Sequence, residues 1–288
     1  MEQGKIIRIV SNQYMVLTNE GEQLPSLAMG KLRKGVSPVV GDNVLYDVED
    51  SKGLIQEILP RKNYLVRPLI ANIDQAIVVM SMVDPDFSYT LVDQLIFLIC
   101  YQDIKPVLLI TKIDLVEDKE RITKIVQEYE SSGYQVFTTG KDVSKETITK
   151  IMKDKITVLT GQSGVGKSSL LNRIDSSFEL QTQEISKALG RGKHTTRHVQ
   201  LYEVAHGWIA DTPGFSLLDF SSIRSSELRE SIIDFHKAGE CRFRDCTHVN
   251  EPGCKVKELV ASGEISKIRY DNYLQVLPLC DQVKEWER

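Results

Sequence analysis

The sequence lacks any long hydrophobic run. Of its 288 residues 41% are hydrophobic, but the longest apolar stretches, such as LIFLIC and PVLLI, are too short to span a bilayer. The first ten residues, MEQGKIIRIV, contain no apolar core of the kind that a signal peptide needs, so no secretion signal is expected. These two absences predict a cytoplasmic chain that works without a membrane.

Cysteine is scarce, with five residues in the whole chain. In a reducing compartment so few cysteines are not expected to form a disulfide framework. Three of them lie close together between Cys241 and Cys254, which favours a metal site over disulfides. Cys100 lies in an apolar helical stretch and Cys280 lies near the end, and both are predicted to be core residues.

An excess of positive charge is also absent. The formal net charge is −4, which argues against a protein that binds polyanions with its whole surface. Local basic runs must therefore carry any contact with nucleic acid. The candidates are Lys31, Arg33 and Lys34, and Arg61 and Lys62 with Arg67. Each run fits an RNA backbone, and a solvated surface is the alternative.

The hydrophobic pattern changes twice along the chain. Residues 4–59 contain short strand-like segments separated by turn signals, which predicts a small barrel of the oligonucleotide-binding (OB) type. From about residue 70, apolar strand-like runs alternate with helical segments, which indicates a doubly wound, mostly parallel sheet. After about residue 219 the chain becomes helical and polar. We therefore expect an RNA-binding-type OB domain at 1–64, an α/β domain at 65–219 and a zinc-binding module at 220–288.

A phosphate-binding loop is the strongest motif. GQSGVGKS matches G-x-x-x-x-G-K-[ST], follows the apolar strand ITVLT and precedes a helix. Its backbone N–H groups are expected to bind phosphate, Lys167 to reach the β- and γ-phosphates and assist catalysis, and Ser168 to bind Mg²⁺. A chance glycine-rich turn is the alternative. The nucleotide-binding residues predicted here are Gly161, Gln162, Ser163, Gly164, Val165, Gly166, Lys167, Ser168 and Ser169.

A second motif, TKID, suggests which base is bound. It follows the strand PVLLI and comprises Thr111, Lys112, Ile113 and Asp114. The Asp114 carboxylate could accept two hydrogen bonds from the N1–H and amine of guanine, which adenine cannot offer, while Lys112 lies along the ring. A charged strand end is the alternative reading. Thr111 stands where GTPases usually have Asn.

The segment DTPG follows another strand, GWIA. Asp211 could hold Mg²⁺ through water, and the Gly214 N–H could meet the γ-phosphate. An ordinary β-turn is the alternative.

A glycine-rich basic loop, KALGRGKHTTRH, lies between the phosphate loop and DTPG. Thr195 or Thr196 could complete the Mg²⁺ shell and order this loop when GTP is bound. Phe215 occupies the position where many GTPases carry the Gln that orients the attacking water. His194 is the candidate replacement, and contact with RNA or with nothing is the alternative.

The order of these motifs is unusual. TKID comes first, then the phosphate loop, the Thr loop and DTPG, whereas ordinary GTPases place the base-reading motif last. The loops at the carboxyl ends of parallel strands meet at one edge of the sheet, so the connections can be permuted without disturbing the site. The sequence thus predicts a circularly permuted P-loop GTPase domain of the α/β class, binding GTP or GDP and Mg²⁺.

The cysteine cluster has the spacing Cys241-x4-Cys246-x-His248-x5-Cys254. Three thiolates and one imidazole fill a tetrahedral shell without an open position, which predicts one structural zinc per chain. The alternative is four ordinary small buried residues.

Taken together, the barrel, TKID, GQSGVGKSSLLN, GRGKHTTR, DTPGF and the cysteine cluster resemble the ribosome small-subunit-dependent GTPase A family (RsgA, also called YjeQ or YloQ). The resemblance covers nearly the whole chain. It implies a bacterial GTPase that assists late maturation of the small ribosomal subunit and is stimulated by that subunit. We expect a monomer whose partners are the small subunit and its rRNA. The resemblance also places a His at position 194. The family's base-supporting Ser-Ala loop is only loosely matched by Thr138 and Thr139.

Two other functions remain open from the residues themselves. One is a nucleotide-dependent enzyme of RNA modification, either a small-molecule kinase or a tRNA-modifying GTPase. A kinase needs an acceptor pocket, for which no segment is evident. The other is a non-enzymatic zinc protein that binds RNA, which has no need of Lys167, Asp114 and Asp211 together.

Overall fold

The computed structural model describes residues 1–10, 12–30, 32, 36–66, 69–141, 145–174, 200–210 and 218–282. Within these ranges, no helix has the length and apolar character needed to cross a membrane. The described residues fall into two compact units. One is drawn from 1–75, 143–159 and 167–215, and the other from 76–142, 160–166 and 216–288.

Five strands form a closed barrel near the N-terminus. They are β1 Glu2–Val10, β2 Gln13–Thr18, β3 Gln23–Ala28, β4 Asn43–Glu49 and β5 Lys52–Ile58. Their order around the barrel is β1-β2-β3-β5-β4. Inward-facing side chains fill the interior, as in other small barrels; they are Ile6, Tyr14, Val16, Ala28, Val44, Tyr46 and Ile55. The barrel predicted from the sequence is confirmed, with β3 as the strand that the hydrophobic pattern did not reveal.

The segment after the barrel is anchored by Arg61. Its Nε and Nη2 atoms donate to the two carboxylate oxygens of Asp42 at 2.7 and 2.8 Å, and Asp42 is fully buried. The guanidinium also lies 4.9 Å from the centre of the Tyr64 ring. Because Arg61 neutralises a buried carboxylate, the structure favours a structural role over the RNA contact considered above. A short hairpin follows, formed by β6 Tyr64–Val66 and β7 Leu69–Ala71.

Six further strands form the sheet of the α/β fold. They are β8 Gln75–Ser81, β9 Lys105–Thr111, β10 Gln135–Thr138, β11 Ile156–Thr160, β12 Leu201–Val204 and β13 Gly207–Ala210. The strand order is β10-β9-β8-β11-β13-β12. β9 and β10 are parallel, as are β11 and β13, whereas β12 is antiparallel to β13. Every residue of β8 and β11 is buried, as expected for strands covered on both faces.

Helices alternate with these strands as the sequence predicts. They are α1 Tyr89–Tyr101, α2 Lys119–Glu130, α3 Lys145–Met152 and α4 Lys167–Ile174. Local hydrogen bonds start the first two, since Ser88 Oγ accepts from the Leu91 N–H at 3.3 Å and Asp118 Oδ1 accepts from the Arg121 N–H at 3.0 Å. Such caps satisfy backbone donors that a helix leaves unpaired. The predicted α/β fold is confirmed.

The C-terminal part is helical. It contains α5 Ser225–Ser231, a 3-10 helix at Ile233–Ala238, α6 Lys255–Ser262, α7 Lys267–Val276 and a 3-10 helix at Leu277–Leu279. Their shared core includes Phe220, Leu228, Phe235, Val256, Ile265, Tyr273 and Val276, together with Phe97 of α1. The hydrophobic core therefore connects these helices to α1.

A buried cation reinforces the same connection. The Arg269 side chain of α7 is 1% exposed, and its Nε donates to Asp93 Oδ1 of α1 at 3.1 Å while Nη1 donates to Asp234 Oδ2. Its guanidinium lies 4.7 and 4.9 Å from the ring centres of Tyr129 and Tyr134. Removing one partner from a buried ion pair costs about 3–5 kcal/mol because a charge is left uncompensated. Arg269 is therefore a strong constraint on how these segments pack.

Candidate functional site

The predicted phosphate loop begins where β11 ends. Gly161 follows Thr160, and the loop ends at Lys167, the first residue of α4. Gly161, Gly164 and Gly166 have φ angles of 137°, 82° and 100°. Residues with a side chain rarely adopt these angles. The shape of the loop thus depends on glycine at all three positions, including Gly164, which the motif itself does not specify.

Gly161 is required for a second reason. A Cβ atom at this position would lie 2.1 Å from the carbonyl oxygen of Val79 in β8, far inside a van der Waals contact. Further along, Ser163, Ser168 and Ser169 are exposed, while Lys167 is half-buried. Burial lowers the pKa of Lys167 from its ordinary value, an effect that a phosphate beside the ammonium group would offset.

Thr111 connects the base-reading motif to the phosphate loop. It is the last residue of β9 and is buried. Its hydroxyl donates to the Val165 carbonyl oxygen at 2.7 Å, and the Met80 carbonyl oxygen lies 3.3 Å away. A hydroxyl has one proton, so it donates to the nearer oxygen, that of Val165. At the position where GTPases usually have Asn, this protein therefore uses a threonine hydroxyl to fasten the phosphate loop.

Lys112 is held by main-chain oxygens. Its backbone is left-handed, with a φ of 59°, and its ammonium group donates to the carbonyl oxygens of Val83, at 3.2 Å, and Asp84. The aliphatic stem therefore runs from the end of β9 to the segment after β8. This fixed stem is a suitable apolar edge for a planar ring.

Asp114 lies beside a loop that sequence analysis identified only loosely. Its side chain is exposed, and a Cβ atom at Gly140 would lie 2.9 Å from Asp114 Oδ1. The Thr139 N–H donates to the Ile110 carbonyl oxygen at 2.8 Å, and the Ile113 N–H donates to the Thr139 carbonyl oxygen at 3.3 Å. The loop after β10 is thus tied to TKID, and Gly140 lies against the carboxylate.

The described part of the site unites TKID and the phosphate loop. The remaining predicted residues, His194, Thr195, Thr196, Asp211 and Gly214, lie outside the described residues, as does Phe215.

The four predicted metal ligands meet at one point. Their ligand atoms all lie within 4.8 Å of one another. Nδ1 of His248 is 3.7, 3.4 and 3.3 Å from the Sγ atoms of Cys241, Cys246 and Cys254. Zinc bonds of about 2.3 Å to sulfur and 2.1 Å to nitrogen, at a tetrahedral angle, put these atoms about 3.6 Å apart. The cluster therefore has the donor set and the dimensions that fit zinc.

Neighbouring side chains brace the cluster through its backbone. Tyr270 Oη donates to the His248 carbonyl oxygen at 2.6 Å, and Tyr273 Oη donates to the Thr247 carbonyl oxygen at 2.8 Å. The Glu251 carboxylate accepts from the N–H groups of Thr247 and Val249 at 2.7 and 2.9 Å. Such bonds fix the direction of metal ligands. Both tyrosines come from α7, which also carries Arg269.

The model of the RsgA GTPase family matches residues 58–221. A relative from Enterococcus faecalis, named small ribosomal subunit biogenesis GTPase RsgA, is 44% identical over 279 residues, which are 95% of this chain and 94% of the relative.

The chain belongs to the RsgA GTPase family.

Further relatives are similar to this chain in sequence and in structure. The Oceanobacillus iheyensis protein named small ribosomal subunit biogenesis GTPase RsgA 2 is 47% identical, over 96% of this chain and 97% of its own. The crystal structure of YloQ, described as a circularly permuted GTPase, has a TM-score of 0.83 and 39% identity, covering 96% of this chain and 94% of its own. YjeQ from Thermotoga maritima has a TM-score of 0.83 and 34% identity, covering 96% and 97%.

Membership of the RsgA GTPase family confirms the resemblance seen in the motifs. The chain is a GTPase, and therefore a hydrolase. The circular permutation expected from the motif order is likewise confirmed as the fold class. TKID precedes the predicted phosphate loop in the chain, and its first residue, Thr111, bonds Val165 of that loop.

Proposed function

We propose that this protein hydrolyses GTP to GDP and phosphate and assists late maturation of the small ribosomal subunit, which stimulates its activity. The observation that carries the nucleotide choice is the junction of Thr111 with Val165 and of Asp114 with Gly140. The first contact links TKID to the phosphate loop. The second places the exposed Asp114 carboxylate beside Gly140, which has no side chain. The relatives' name, small ribosomal subunit biogenesis GTPase, supports the cellular role.

Asp114 would read guanine, because its carboxylate can accept from both the ring N1–H and the amine. Gly140 leaves room for that carboxylate, since a Cβ atom there would lie 2.9 Å from Asp114 Oδ1. Lys167 would contact the β- and γ-phosphates, and the exposed hydroxyl of Ser168 would bind Mg²⁺. The glycine-dependent backbone of the loop would turn its N–H groups toward the phosphates.

The remaining chemistry is assigned by sequence. Asp211 would hold Mg²⁺ through water, Gly214 would contact the γ-phosphate, and Thr195 or Thr196 would complete the metal shell. His194 would orient the attacking water, because Phe215 cannot hydrogen-bond to it.

One structural zinc per chain would be held by Cys241, Cys246, His248 and Cys254. The closeness of the four ligand atoms and the bracing by Tyr270 and Tyr273 support this assignment. A filled shell of four protein ligands leaves no position for substrate, so the metal would stabilise the loop and take no part in hydrolysis.

The proposed partners are the small ribosomal subunit and its rRNA, with no membrane involved. A monomer in the cytoplasm is proposed, with an OB-type domain at 1–64, the permuted GTPase domain at 65–219 and the zinc-binding module at 220–288. Binding to the subunit should be stronger with a GTP analogue than with GDP, because the basic Thr loop and DTPG precede the zinc module in the chain.

The deciding experiment is GTP turnover measured with and without purified small ribosomal subunits, with ATP as the matched control nucleotide. We expect slow turnover of GTP alone, clear stimulation by the subunit and no stimulated turnover of ATP. Equal use of ATP would favour a kinase-like enzyme. A protein that binds the subunit without any turnover would instead be an RNA-binding zinc protein.

A further inference from the structure

A second polar cleft lies in the first compact unit. It is found where β11 and β13 begin, whereas the phosphate loop follows the end of β11. Its volume is about 470 Å³. The lining includes Lys5, Lys62, Asp74, Lys155, His206 and Trp208. The barrel, the start of the sheet and the turn before β13 thus all contribute to one cavity. None of its lining residues belongs to the proposed nucleotide or zinc sites.

Lys62 and Asp74 form an ion pair in this cleft. Asp74 Oδ1 lies 2.6 Å from Lys62 Nζ, and Asp74 Oδ2 accepts from the Ile156 N–H at 2.7 Å. Both oxygens of this carboxylate are engaged, and the charge of Lys62 is balanced by it. Asp154 supplies the other carboxylate of the lining.

Two further ammonium groups are bonded to neutral oxygens. Lys5 Nζ donates to Asn43 Oδ1 at 2.7 Å. Lys155 Nζ donates to Gln75 Oε1 at 3.1 Å and to the Ile151 carbonyl oxygen at 3.0 Å. In the part of the chain that the structure describes, neither group forms an ion pair with a carboxylate. Burial lowers the pKa of Lys5, although Asp74 and Asp42 act in the opposite direction. An anion bound here would stabilise both cations.

Trp208 gives the cleft an aromatic wall. It lies in β13 directly after Gly207 and is half-buried, so part of the indole is accessible. Nucleobases stack on aromatic rings with little regard to sequence, while basic side chains bind the backbone phosphates. A cleft of 470 Å³ is at the lower end of the roughly 300–1,000 Å³ found for ligand pockets. It has room for about one nucleotide.

We propose that this cleft binds one nucleotide of single-stranded RNA, with the base against Trp208 and the phosphate between Lys5 and Lys155. The choice of RNA over a free nucleotide rests on the proposed function, since rRNA is the partner proposed for this protein. The site is separate from the guanine site, because its residues lie at the beginnings of the strands.

The test is binding of fluorescein-labelled hexauridylate to the full-length protein, followed by fluorescence anisotropy with Mg²⁺ and saturating GDP. The double variant Lys5→Gln/Lys155→Gln keeps a hydrogen-bond donor at each position and removes both charges. We expect about a tenfold weaker affinity, and a salt dependence whose logarithmic slope falls by about 0.7, the change for one lost phosphate contact to a single strand. Trp208→Leu should weaken binding to a similar extent, and Trp208→Phe should restore most of it.

The matched control is Lys124→Gln/Lys150→Gln, which removes the same charge from two exposed positions outside the cleft. The proposal is overturned if the cleft variant and this control bind hexauridylate equally with the same salt slope. It is also overturned if uridine 5′-monophosphate competes as well as the hexamer, because the ligand would then be a free nucleotide. GTP turnover of the same samples separates the two proposals, since a protein can lose either property without the other.

Discussion

The Cys/His cluster proposed to hold zinc and the proposed nucleotide site of this protein are built in different ways. The cluster takes four side chains from the 14 residues between Cys241 and Cys254, and His248 Nδ1 is 3.3 to 3.7 Å from three sulfur atoms. The described nucleotide site is assembled from three distant segments, and most of its decisive contacts involve backbone atoms. Thr111 bonds a carbonyl oxygen, and Gly140 and Gly161 matter because they have no side chain.

This difference predicts where each site is vulnerable. A site made of side chains fails when a ligand is removed, whatever the backbone does. A site made of backbone fails when a side chain is added where none fits. The predictions below test this contrast, from the largest expected effect to the smallest.

Cys246→Ala should abolish the zinc cluster. Zinc content should fall from about one per chain to nearly none, because structural zinc contributes about 10–16 kcal/mol and three ligands cannot close the shell. Metal analysis of freshly purified protein, combined with limited proteolysis of the 239–254 loop, measures the effect. GTP binding should be largely retained. Cys280→Ala, which removes a buried cysteine outside the cluster, is the control, and full zinc content in Cys246→Ala would contradict the assignment.

Gly161→Ala should damage the nucleotide site without removing any side-chain contact. The added Cβ would lie 2.1 Å from Val79 O at a φ of 137°. Overpacking and backbone strain of about 1–3 kcal/mol each should weaken GDP binding by about 100-fold. Titration with a fluorescent GDP derivative provides the measurement. Gly133 also has a positive φ, of 89°, but open space around it, so Gly133→Ala should bind GDP normally. Equal losses in both variants would show that steric contact is not the cause.

His194→Ala tests a catalytic assignment that rests on the sequence, because His194 lies outside the described residues. Subunit-stimulated turnover should fall by about 100-fold, the usual scale for a lost acid–base group, while GTP affinity is kept. Single-turnover hydrolysis with saturating small subunits is the appropriate assay, with His236→Ala as an exposed-histidine control. Normal stimulated turnover in His194→Ala would transfer the role to ribosomal RNA or to the backbone.

Asp114→Asn should change base preference. Loss of a charged hydrogen bond costs about 1.5–3 kcal/mol, so GTP affinity should fall by roughly 10- to 150-fold. Xanthine carries a carbonyl where guanine has its amine, and the asparagine amide can donate to it. Competition between GTP and XTP measures the change. An unchanged ratio of the two affinities would show that Asp114 does not contact the base.

Thr111→Val should give the smallest effect. It removes the hydroxyl that bonds Val165 O and leaves that carbonyl without this donor. A lost neutral hydrogen bond of about 0.5–1.5 kcal/mol corresponds to roughly a 2- to 13-fold loss of GDP affinity. Thr111→Ser keeps the hydroxyl and should bind normally in the same titration. If Thr111→Val binds as tightly as Thr111→Ser, the link between strand and loop does not contribute to binding.

The contrast also explains what the sequence could reveal. The clustering of Cys241, Cys246, His248 and Cys254 is predictable from spacing alone because they are neighbours in the chain. The sheet is predictable because buried strands leave apolar runs. β3 was missed because it contains Pro25 and only two buried residues, so it has no clear hydrophobic alternation. Gly140 was missed because its position beside Asp114 arises from the pairing of β9 with β10, which no local pattern records. The Arg61–Asp42 pair was hidden for the same reason, since it joins residues brought together by the barrel.

The bond from Thr111 to Val165 has a further consequence for how a nucleotide is captured. Base and phosphates are usually held by separate loops, and each loop that must be ordered by the ligand subtracts entropy from the affinity. Here the strand that carries the proposed base-reading motif is hydrogen-bonded to the proposed phosphate loop without any ligand bound. The nucleotide would then bind to two segments that are already connected. The conformational entropy lost on binding would belong mainly to the nucleotide itself.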